Sequence, residues 1–464
     1  MAKINQKAAP LTTHEGAVAM RLTPYQQLRR ATCACLLWEN SFYESGQTIA
    51  DRIKALVPQV EPALVSQLAI ELRHEHNLRH VPLLVTRELA RKAHPNNLVA
   101  NTLAQVISRA DELSEFLALY WQEGKQPLSK QVKKGLAAAF QKFDAYQLGK
   151  YNQDKAIKLR DVLFLVHAKP KDEAQAAIWK QLVDKTLPVP PTWEKRLSSG
   201  ENKKVVFEDL MQTKALGYLA ALRNLRNMQQ AGVEKAQAAQ YLLEHKGISQ
   251  VLPFRFIAAA RAVPQWEDAI EPAMLKATEN LPKLSGKTII LVDRSGSMGS
   301  PLSAKSDLNR GQAAGALAVL MREICAEVEI WWFTADLGSV GQQIMKKIVG
   351  SKDTSKWCAP VPSRRGFALA ELLQPLNAGT DLGGAVTLMF AKAYQRLIVL
   401  TDEQSATNVP QPEQGMNYLI NVASYQNGVG YGNWVHIDGF SESVVKFIQA
   451  HEQLLAEEKA RAAQ

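Results

Sequence analysis

The sequence predicts a multidomain protein in which an all-α array of helical repeats, an α-solenoid, precedes a smaller α/β domain. Residues 20–280 are dominated by Ala, Leu, Gln, Lys and Glu, which favour helices. In the last third of the chain, two apolar runs, 289–292 and 397–400, read as buried strands and each is followed by a carboxylate. A chain of 464 residues is long enough for two or three such domains.

The helical array is expected to follow an N-terminal arm, residues 1–19, and to occupy residues 20–284. Apolar residues recur at spacings of three and four in its best segments, which are Pro62–Glu71, Val81–Ala93, Leu98–Ile107, Leu113–Trp121, Lys130–Lys142 and Glu234–Leu243. Short breaks separate these segments, which favours stacked antiparallel helix pairs. The proline-rich stretch 188–191 predicts a rigid loop before a short helix capped by Thr192.

Charge and composition restrict the possible functions. Residues 1–285 hold 39 Lys and Arg against 28 Asp and Glu, whereas the remainder holds 16 against 17. A basic N-terminal part favours a polyanionic partner, most simply nucleic acid. The sequence contains no apolar run of 18 residues and no apolar signal segment, so we expect a cytoplasmic protein. Four cysteines in a chain of this length predict thiols and not a disulfide framework.

The α/β domain, expected over residues 285–455 with a polar tail at 456–464, carries polar residues where its strands end. Asp293, Ser295 and Ser297 alternate on the loop after the first strand, Thr380 lies in a Gly-flanked loop, and Asp402 follows the second strand. Open α/β sheets bind ligands at the carboxyl ends of their strands. Carboxylate and hydroxyl oxygens suit a hard divalent cation such as Mg²⁺, with Mn²⁺ or Ca²⁺ as alternatives. The competing interpretation is that these residues only cap helices and turns.

These three segments, in this order, resemble the metal-ion-dependent adhesion site of the von Willebrand factor A domain, a Rossmann-like α/β fold. Carried over by motif position, the resemblance implies one divalent ion with the ligands Asp293, Ser295, Ser297, Thr380 and Asp402. A site of this kind engages a carboxylate of a ligand. The sequence shows no Walker loop, nucleophile elbow or nuclease carboxylate cluster, so we predict a protein that is not an enzyme.

Several phrases of the helical part resemble the TROVE module of the Ro ribonucleoproteins. The closest is 219–228, LAALRNLRNM; the others are 158–170, Trp193-Glu194 and 252–256, in the order that the family uses. The compact N-terminus resembles that of bacterial members. The resemblance implies HEAT-like repeats closed into a ring, with the A domain holding its two ends. It also implies that small noncoding Y RNAs bind the outer face, that single-stranded ends of misfolded RNA enter the central hole, and that an exoribonuclease is a partner in RNA quality control.

Two groups of residues are candidates for RNA binding, since Lys and Arg supply affinity for phosphates. The first group lies around the helix ending near residue 167 and resembles the outer RNA-contacting surface of the family; it comprises Lys150, Lys155, Lys158, Arg160, His167 and Lys169. The second group, Arg223, Asn224 and Arg226, lies off an apolar helical stripe, and the resemblance implies that it faces the ring interior. Alternatively, His167 is an ordinary helix-end residue, and the Arg and Asn side chains clamp neighbouring helix ends.

Two other functions remain open. A protein-interaction adaptor would use both domains to bind proteins, with metal-dependent docking in the A domain. A chelatase-associated protein would use its A domain beside an ATPase partner. The basic array and the ordered phrases favour RNA binding over both, and a closed ring favours a monomer.

Overall fold

A computed structural model describes residues 11–33, 46–152, 154–251, 253–302, 308–335, 357–423, 425, 427–439 and 443–462. The helices of the N-terminal part are α1 (Pro24–Cys33), α2 (Gly46–Leu56), α3 (Pro62–His74), α4 (His80–Leu89), α5 (Leu98–Val106), α6 (Ala110–Tyr120), α7 (Lys130–Phe140), α8 (Ala145–Tyr151), α9 (Leu159–Val166), α10 (Glu173–Val183), α11 (Trp193–Ser198), α12 (Lys203–Gln212), α13 (Tyr218–Gln230), α14 (Lys235–Glu244), α15 (Pro253–Ala262) and α16 (Glu267–Glu279). The C-terminal part contains β1 (Leu284–Asp293), α17 (Arg310–Ile324), β2 (Cys325–Phe333), β3 (Cys358–Pro360), α18 (Gly366–Leu372), α19 (Leu382–Phe390), β4 (Arg396–Thr401), β5 (Met416–Asn421), β6 (Val435–Asp438) and α20 (Ser443–Ala462).

The N-terminal part is helical, as predicted, and its helices pack in two interleaved rows. Helices α3, α5, α7 and α9 contact one another in turn, while α4 and α6 pack beside them. Packing of each helix on the next but one is typical of stacked helix pairs. The short helix after the proline-rich loop also forms as predicted, and the Thr192 hydroxyl accepts a hydrogen bond from the Lys195 backbone N–H at 3.4 Å.

The C-terminal part, residues 284–462, is an α/β unit built on one mixed sheet. Its six described strands are ordered β3-β2-β1-β4-β5-β6, and β3 alone among them runs antiparallel to its neighbour. Buried residues alternate between the two faces: Ile290 and Val292 face the helical array, whereas Ile289 and Leu291 pack towards α19. The expected polar tail differs, since residues 456–462 continue α20. Their Ala, Glu, Lys and Arg side chains favour helix extension.

Two of the three apolar cores among the described residues run through the helices of the N-terminal part, and the third lies between the sheet and α19. One extends from Leu28 to Leu187 and lies wholly within α1–α10 and their connections. The other begins at Val206 and continues through α12–α16 into the sheet as far as Ile448. The break between the cores therefore falls near the proline-rich loop, about 90 residues before the start of the sheet.

The N-terminal segment returns to the α/β unit. Residues 11–20, which we term the N-terminal strap, lie along the loop after β4: the Ala17 backbone N–H donates to the Ser405 carbonyl at 3.3 Å, and the Thr13 hydroxyl donates to the same oxygen at 2.8 Å. Helix α1 contacts β6. Both ends of the helical array thus meet the same α/β unit, one through this contact and the other through the covalent connection from α16 to β1.

Two remaining expectations concern cysteines and the membrane. Cys33, Cys325 and Cys358 are free and buried, while Cys35 lies outside the described residues. Within the described ranges, no helix combines the length and apolar character needed to cross a bilayer.

Candidate metal and RNA sites

The first candidate site lies at the carboxyl edge of the sheet, between β1 and β4. These strands are parallel neighbours, with Val292 opposite Leu400. The residues that follow, Asp293 and Asp402, therefore emerge side by side, and both are fully buried. Ser295 is also buried, and its hydroxyl lies 3.2 Å from that of Ser297.

Hydrogen bonds join the three predicted segments pairwise. The Gly296 N–H donates to the Ala378 carbonyl at 2.8 Å, and the Ala406 N–H donates to the Thr380 carbonyl at 3.1 Å. The Thr401 hydroxyl donates to Asp293 Oδ2 at 2.7 Å, which links the first segment to the third. The structure therefore brings all five predicted ligand residues to one edge of the sheet, with Thr380 itself buried.

The electrostatics of this edge favour a cation. Burial and the neighbouring Asp402 carboxylate together raise the pKa of Asp293 to about 7. Two carboxylates buried side by side repel each other, and a positive ion between them relieves that repulsion. The donor set of two carboxylates and three hydroxyls fits a hard ion such as Mg²⁺. No cluster of three or more His, Cys, Asp or Glu side chains suited to a metal is found among the described residues, so hydroxyl ligands are essential to the fit.

A protein cation already contacts this site. Arg310, the first residue of α17, donates from Nη1 to Asp402 Oδ2 at 3.3 Å, and the two side chains are 3% and 0% exposed. The motif that identified the carboxylates gave no sign of Arg310, because it lies outside all three segments. The only sequence signal is the pair Asn309 and Gln312, which form a capping box and fix the start of α17.

Next to the candidate metal site lies a buried ionic cluster formed by Arg30, Glu403, His436 and Asp438. Arg30 of α1 is ion-paired with Glu403, the residue after Asp402. His436 lies between two carboxylates, with Nε2 2.6 Å from Glu403 and Nδ1 3.4 Å from Asp438. Although burial disfavours the imidazolium, Asp438 and Glu403 raise the pKa of His436 to about 9. The cluster, which sequence reasoning did not identify, fastens α1 to the sheet.

The basic residues of the predicted outer RNA surface have more carboxylate partners than the sequence suggested. Four of its six basic residues lie within 4 Å of a carboxylate, in the pairs Lys150–Glu194 (3.5 Å), Lys155–Glu115 (3.2 Å), Lys158–Asp154 (2.5 Å) and Arg160–Asp161 (3.7 Å). Ion pairs at a surface contribute little free energy, so phosphates can replace the carboxylates. The local positive field is nevertheless weaker than the count of Lys and Arg implies.

The remaining outer candidates, His167 and Lys169, are exposed, and neither has an ion-pair partner in the part of the chain that the structure describes. His167 ends α9 in the left-handed conformation with φ 53°, which confirms its predicted position at a helix end. Phe164 lies one turn before His167 and is 57% exposed. No role was predicted for Phe164 from the sequence. Arg160 and Phe164 share one face of α9 by their spacing, and His167 follows at the end of the same helix.

The predicted channel residues on α13 divide into two kinds. Arg223 and Arg226 are exposed, and no ion pair is found for either within the described ranges. Asn224 is buried: its Nδ2 donates to the Ala220 carbonyl at 2.9 Å, and its Oδ1 accepts from Asn227 Nδ2 at 2.9 Å. The two arginines therefore face solvent, as the apolar stripe predicts, whereas Asn224 is engaged within its own helix and positions Asn227.

Parts of the chain are similar in sequence to known proteins. A family model described as the TROVE domain matches residues 184–321. Over 83 residues the chain is 35% identical to telomerase protein component 1 of Mus musculus, a match that covers 17% of this chain and 3% of that protein. The chain thus spans a small fraction of the length of this curated relative.

The fold is similar to the crystal structure of the RO (RSR) protein of Deinococcus radiodurans. The TM-score is 0.59 at 17% sequence identity, and the alignment covers 90% of this chain and 97% of that one. The helical array and the mixed sheet are therefore both part of the shared fold. The TROVE match includes α13 and extends across the start of the sheet into the last turn of α17.

Proposed function

We propose that this chain is a non-catalytic RNA-binding protein, because residues 184–321 match the TROVE domain model and the fold is similar to that of a bacterial Ro protein. We propose further that it binds a small structured noncoding RNA of the Y RNA class on its outer face and single-stranded RNA ends through α13. Its role would be noncoding RNA quality control or delivery of RNA to an exoribonuclease in the cytoplasm.

The observation that carries the proposal is the pair of exposed arginines on α13. Arg223 and Arg226 lie within the residues matched by the TROVE family model and point to solvent without a carboxylate partner in the described structure. A guanidinium can pair with a phosphate through two parallel hydrogen bonds and can stack on a base. These properties suit the backbone and the unpaired bases of single-stranded RNA.

The test begins with crosslinking and sequencing of RNA that accompanies the protein in its own cell. We expect enrichment of one or a few small structured RNAs, and the same preparation reports whether a ribonuclease accompanies them. The double variant Arg223→Ala/Arg226→Ala should then bind a single-stranded oligonucleotide more weakly, with the salt slope of log K reduced by roughly 1.4, about 0.7 for each lost phosphate contact. Arg364→Ala, an exposed change in the α/β unit, is the matched control.

An unchanged salt slope in the double variant would exclude α13 as an RNA contact. Background levels of RNA in a folded preparation at moderate salt would exclude RNA binding as the main role and would favour the protein adaptor.

We propose that the carboxyl edge of the sheet is a metal-dependent docking site with Mg²⁺ as the preferred ion. The buried pair Asp293 and Asp402 supports this proposal, because a divalent ion between the two carboxylates would offset their mutual repulsion. Asp293→Ala should abolish binding of the divalent ion and leave RNA affinity within about twofold, because surface phosphate contacts and the buried site are separate. Loss of RNA binding in a folded Asp293→Ala protein would show that the two activities are coupled and would favour a single composite site.

A further inference from the structure

We propose that Arg310 is a built-in counter-cation of the candidate metal site and competes with the divalent ion for Asp402. This inference rests on the metal site proposed above. It adds that the site is held in a self-neutralised state by a side chain of the protein, and that a divalent ion binds strongly only when Arg310 is displaced or when an anionic ligand arrives with the metal.

The position of Arg310 is fixed by its backbone. Its N–H donates to the Ser300 carbonyl at 3.0 Å, so the start of α17 is tied to the loop that carries Ser295 and Ser297. The capping box of Asn309 and Gln312 holds the same turn, with hydrogen bonds of 2.8 and 2.9 Å. The guanidinium therefore reaches Asp402 from a rigid helix start and not from a loop.

This placement is costly unless Asp402 compensates it. Arg310 is 3% exposed, and burial of an unpaired guanidinium is strongly unfavourable. It also occupies the first turn of a helix, where the helix dipole opposes a positive charge. The 3.3 Å contact with the buried Asp402 carboxylate contributes to offsetting both effects.

Charge accounts for the competition. The guanidinium offsets one of the two negative charges that Asp293 and Asp402 carry when both are ionised. A divalent ion between the carboxylates would lie beside the guanidinium in a region without solvent to screen their repulsion. A ligand carboxylate adds one negative charge and reduces that repulsion, so metal and anionic ligand should bind cooperatively.

The inference is tested by titrating the full chain with Mn²⁺ alone, followed by electron paramagnetic resonance of the free ion. Arg310→Gln removes the charge and keeps most of the side-chain length, so it should bind Mn²⁺ at least tenfold more tightly than the unaltered protein. Arg310→Lys keeps the charge and should bind within about threefold of it. Arg322→Gln, on the last turn of the same helix, is the matched control and should have no effect.

A second readout is thermal unfolding in EDTA and in Mn²⁺. Without metal, Arg310→Gln should unfold at a lower temperature, because Asp402 loses its ion pair with the guanidinium. Mn²⁺ should raise the melting temperature of this variant more than that of the unaltered protein. Asp402→Asn should abolish the effect of Arg310→Gln on the melting temperature in EDTA, and it should also abolish the rise of the melting temperature in Mn²⁺.

The outcomes separate this inference from the metal site itself. Equal or weaker Mn²⁺ binding by Arg310→Gln, with binding by the unaltered protein, overturns the competition and leaves the metal site in place. Absence of binding in both folded proteins overturns the metal site together with the inference. Binding by Arg310→Gln alone shows that Arg310 closes the site, and supports the inference.

Discussion

At the scale of single residues, the two candidate sites differ in how their charges are arranged. The carboxylates of the metal site are buried and act on each other, so burial and proximity decide their chemistry. The basic residues around α9 lie at the surface beside carboxylates, where water weakens each pair. The RNA binding proposed for α9 would therefore require phosphates to replace the carboxylates of these pairs.

The triple variant Lys155→Ala, Arg160→Ala and His167→Ala tests that exchange. It should weaken binding of a structured RNA by on the order of tenfold to a hundredfold at moderate salt, because several phosphate contacts are lost together. Binding of a free single-stranded tail should fall much less. The measurement is a gel-shift titration with both RNAs. Lys287→Ala, which breaks a comparable surface ion pair with Glu329 on the sheet, is the control.

Equal losses for the two RNAs would contradict the assignment of α9 to structured RNA. If Phe164→Ala also weakens binding, the exposed ring takes part by stacking on a base; an unchanged affinity would leave Phe164 as a solvent-exposed side chain without a role.

The sequence predicted that Asp293 and Asp402 lie at the ends of strands, but it did not predict which side chains contact them. Asp293 and Asp402 follow apolar strands, and a strand end is visible in the order of residues. Arg310 and Glu403 act through contacts between segments that are distant in sequence, and no local pattern encodes such contacts. Two of the four predicted RNA-binding cations that have carboxylate partners follow the same rule, since Glu194 and Glu115 lie about 40 residues from Lys150 and Lys155. Asp154 and Asp161, by contrast, lie within four residues of Lys158 and Arg160, so a local reading of the sequence could have found these two pairs.

At the scale of elements, the loop after β4 connects the candidate metal site with the N-terminal segment. Residues 401–405 are all fully buried, and consecutive residues of this loop contact different parts of the molecule. Asp402 contacts Arg310, Glu403 contacts Arg30, and the Ser405 carbonyl accepts from the N-terminal strap. Glu403 adopts a positive φ of 61°, a conformation that a non-glycine residue holds only when its surroundings fix it.

The His436 side chain of the adjoining strand predicts a pH-dependent stability. It faces Glu403, Asp438, Arg30 and Tyr431, and its pKa in the folded protein is raised to about 9. A raised pKa means that the charged form stabilises the fold below about pH 6.5 and that this stabilisation is lost as the pH rises through 9. The free energy of unfolding should fall by on the order of 2 kcal/mol over that interval.

Urea unfolding between pH 6 and pH 9.5 measures this loss. His436→Gln should be less stable at pH 6.5 and should lose most of the slope, because glutamine carries no proton that titrates in this range. An identical slope in the variant would show that His436 is not the group that titrates.

At the scale of the whole molecule, the chain is closed by contacts between its first helix and its last strands. Arg30 supplies the positive charge where α1 contacts the α/β unit, and its side chain is 1% exposed. Arg29, the preceding residue, forms a half-exposed pair with Glu71 at 2.6 Å within the helical array. The two arginines therefore offer a matched comparison between closure of the molecule and local pairing.

Arg30→Met should lower the free energy of unfolding by about 3–5 kcal/mol, since the buried carboxylates Glu403 and Asp438 would be left with His436 alone as their cation among the described residues. Arg29→Met should cost about 1 kcal/mol or less. Hydrogen exchange of residues 13–20 should accelerate in Arg30→Met alone, which locates the effect at the closure. If Arg30→Met does not fold, Glu403→Gln gives the same comparison with less disturbance. Equal effects of the two arginines would show that the cluster does not hold the ends together.

The overall order of helices and strands could be predicted because periodicity and caps are local properties. The segments that resemble the TROVE module and the strand ends are also short, so their order could be recognised in the sequence. The return of α1 to the sheet was implied only by the family resemblance, because the contacts that form it span more than 300 residues. The position of the break between the cores was not predicted. The shared Ro fold accounts for the array and the sheet together, and the chain's own contacts determine how they are joined.

The core that begins at Val206 has a consequence for how such a protein can change over evolution. Helices α12–α16 and the sheet share one apolar interior, so a substitution on either side must be accommodated by the other. An exchange of the sheet between related proteins at residue 284 would cut through this interior and leave two unmatched apolar surfaces. A cross-over near residue 190 would instead exchange the interior that begins at Val206 as a whole, and the contacts of α1 and the N-terminal strap with the loop after β4 would be what the new partner has to match.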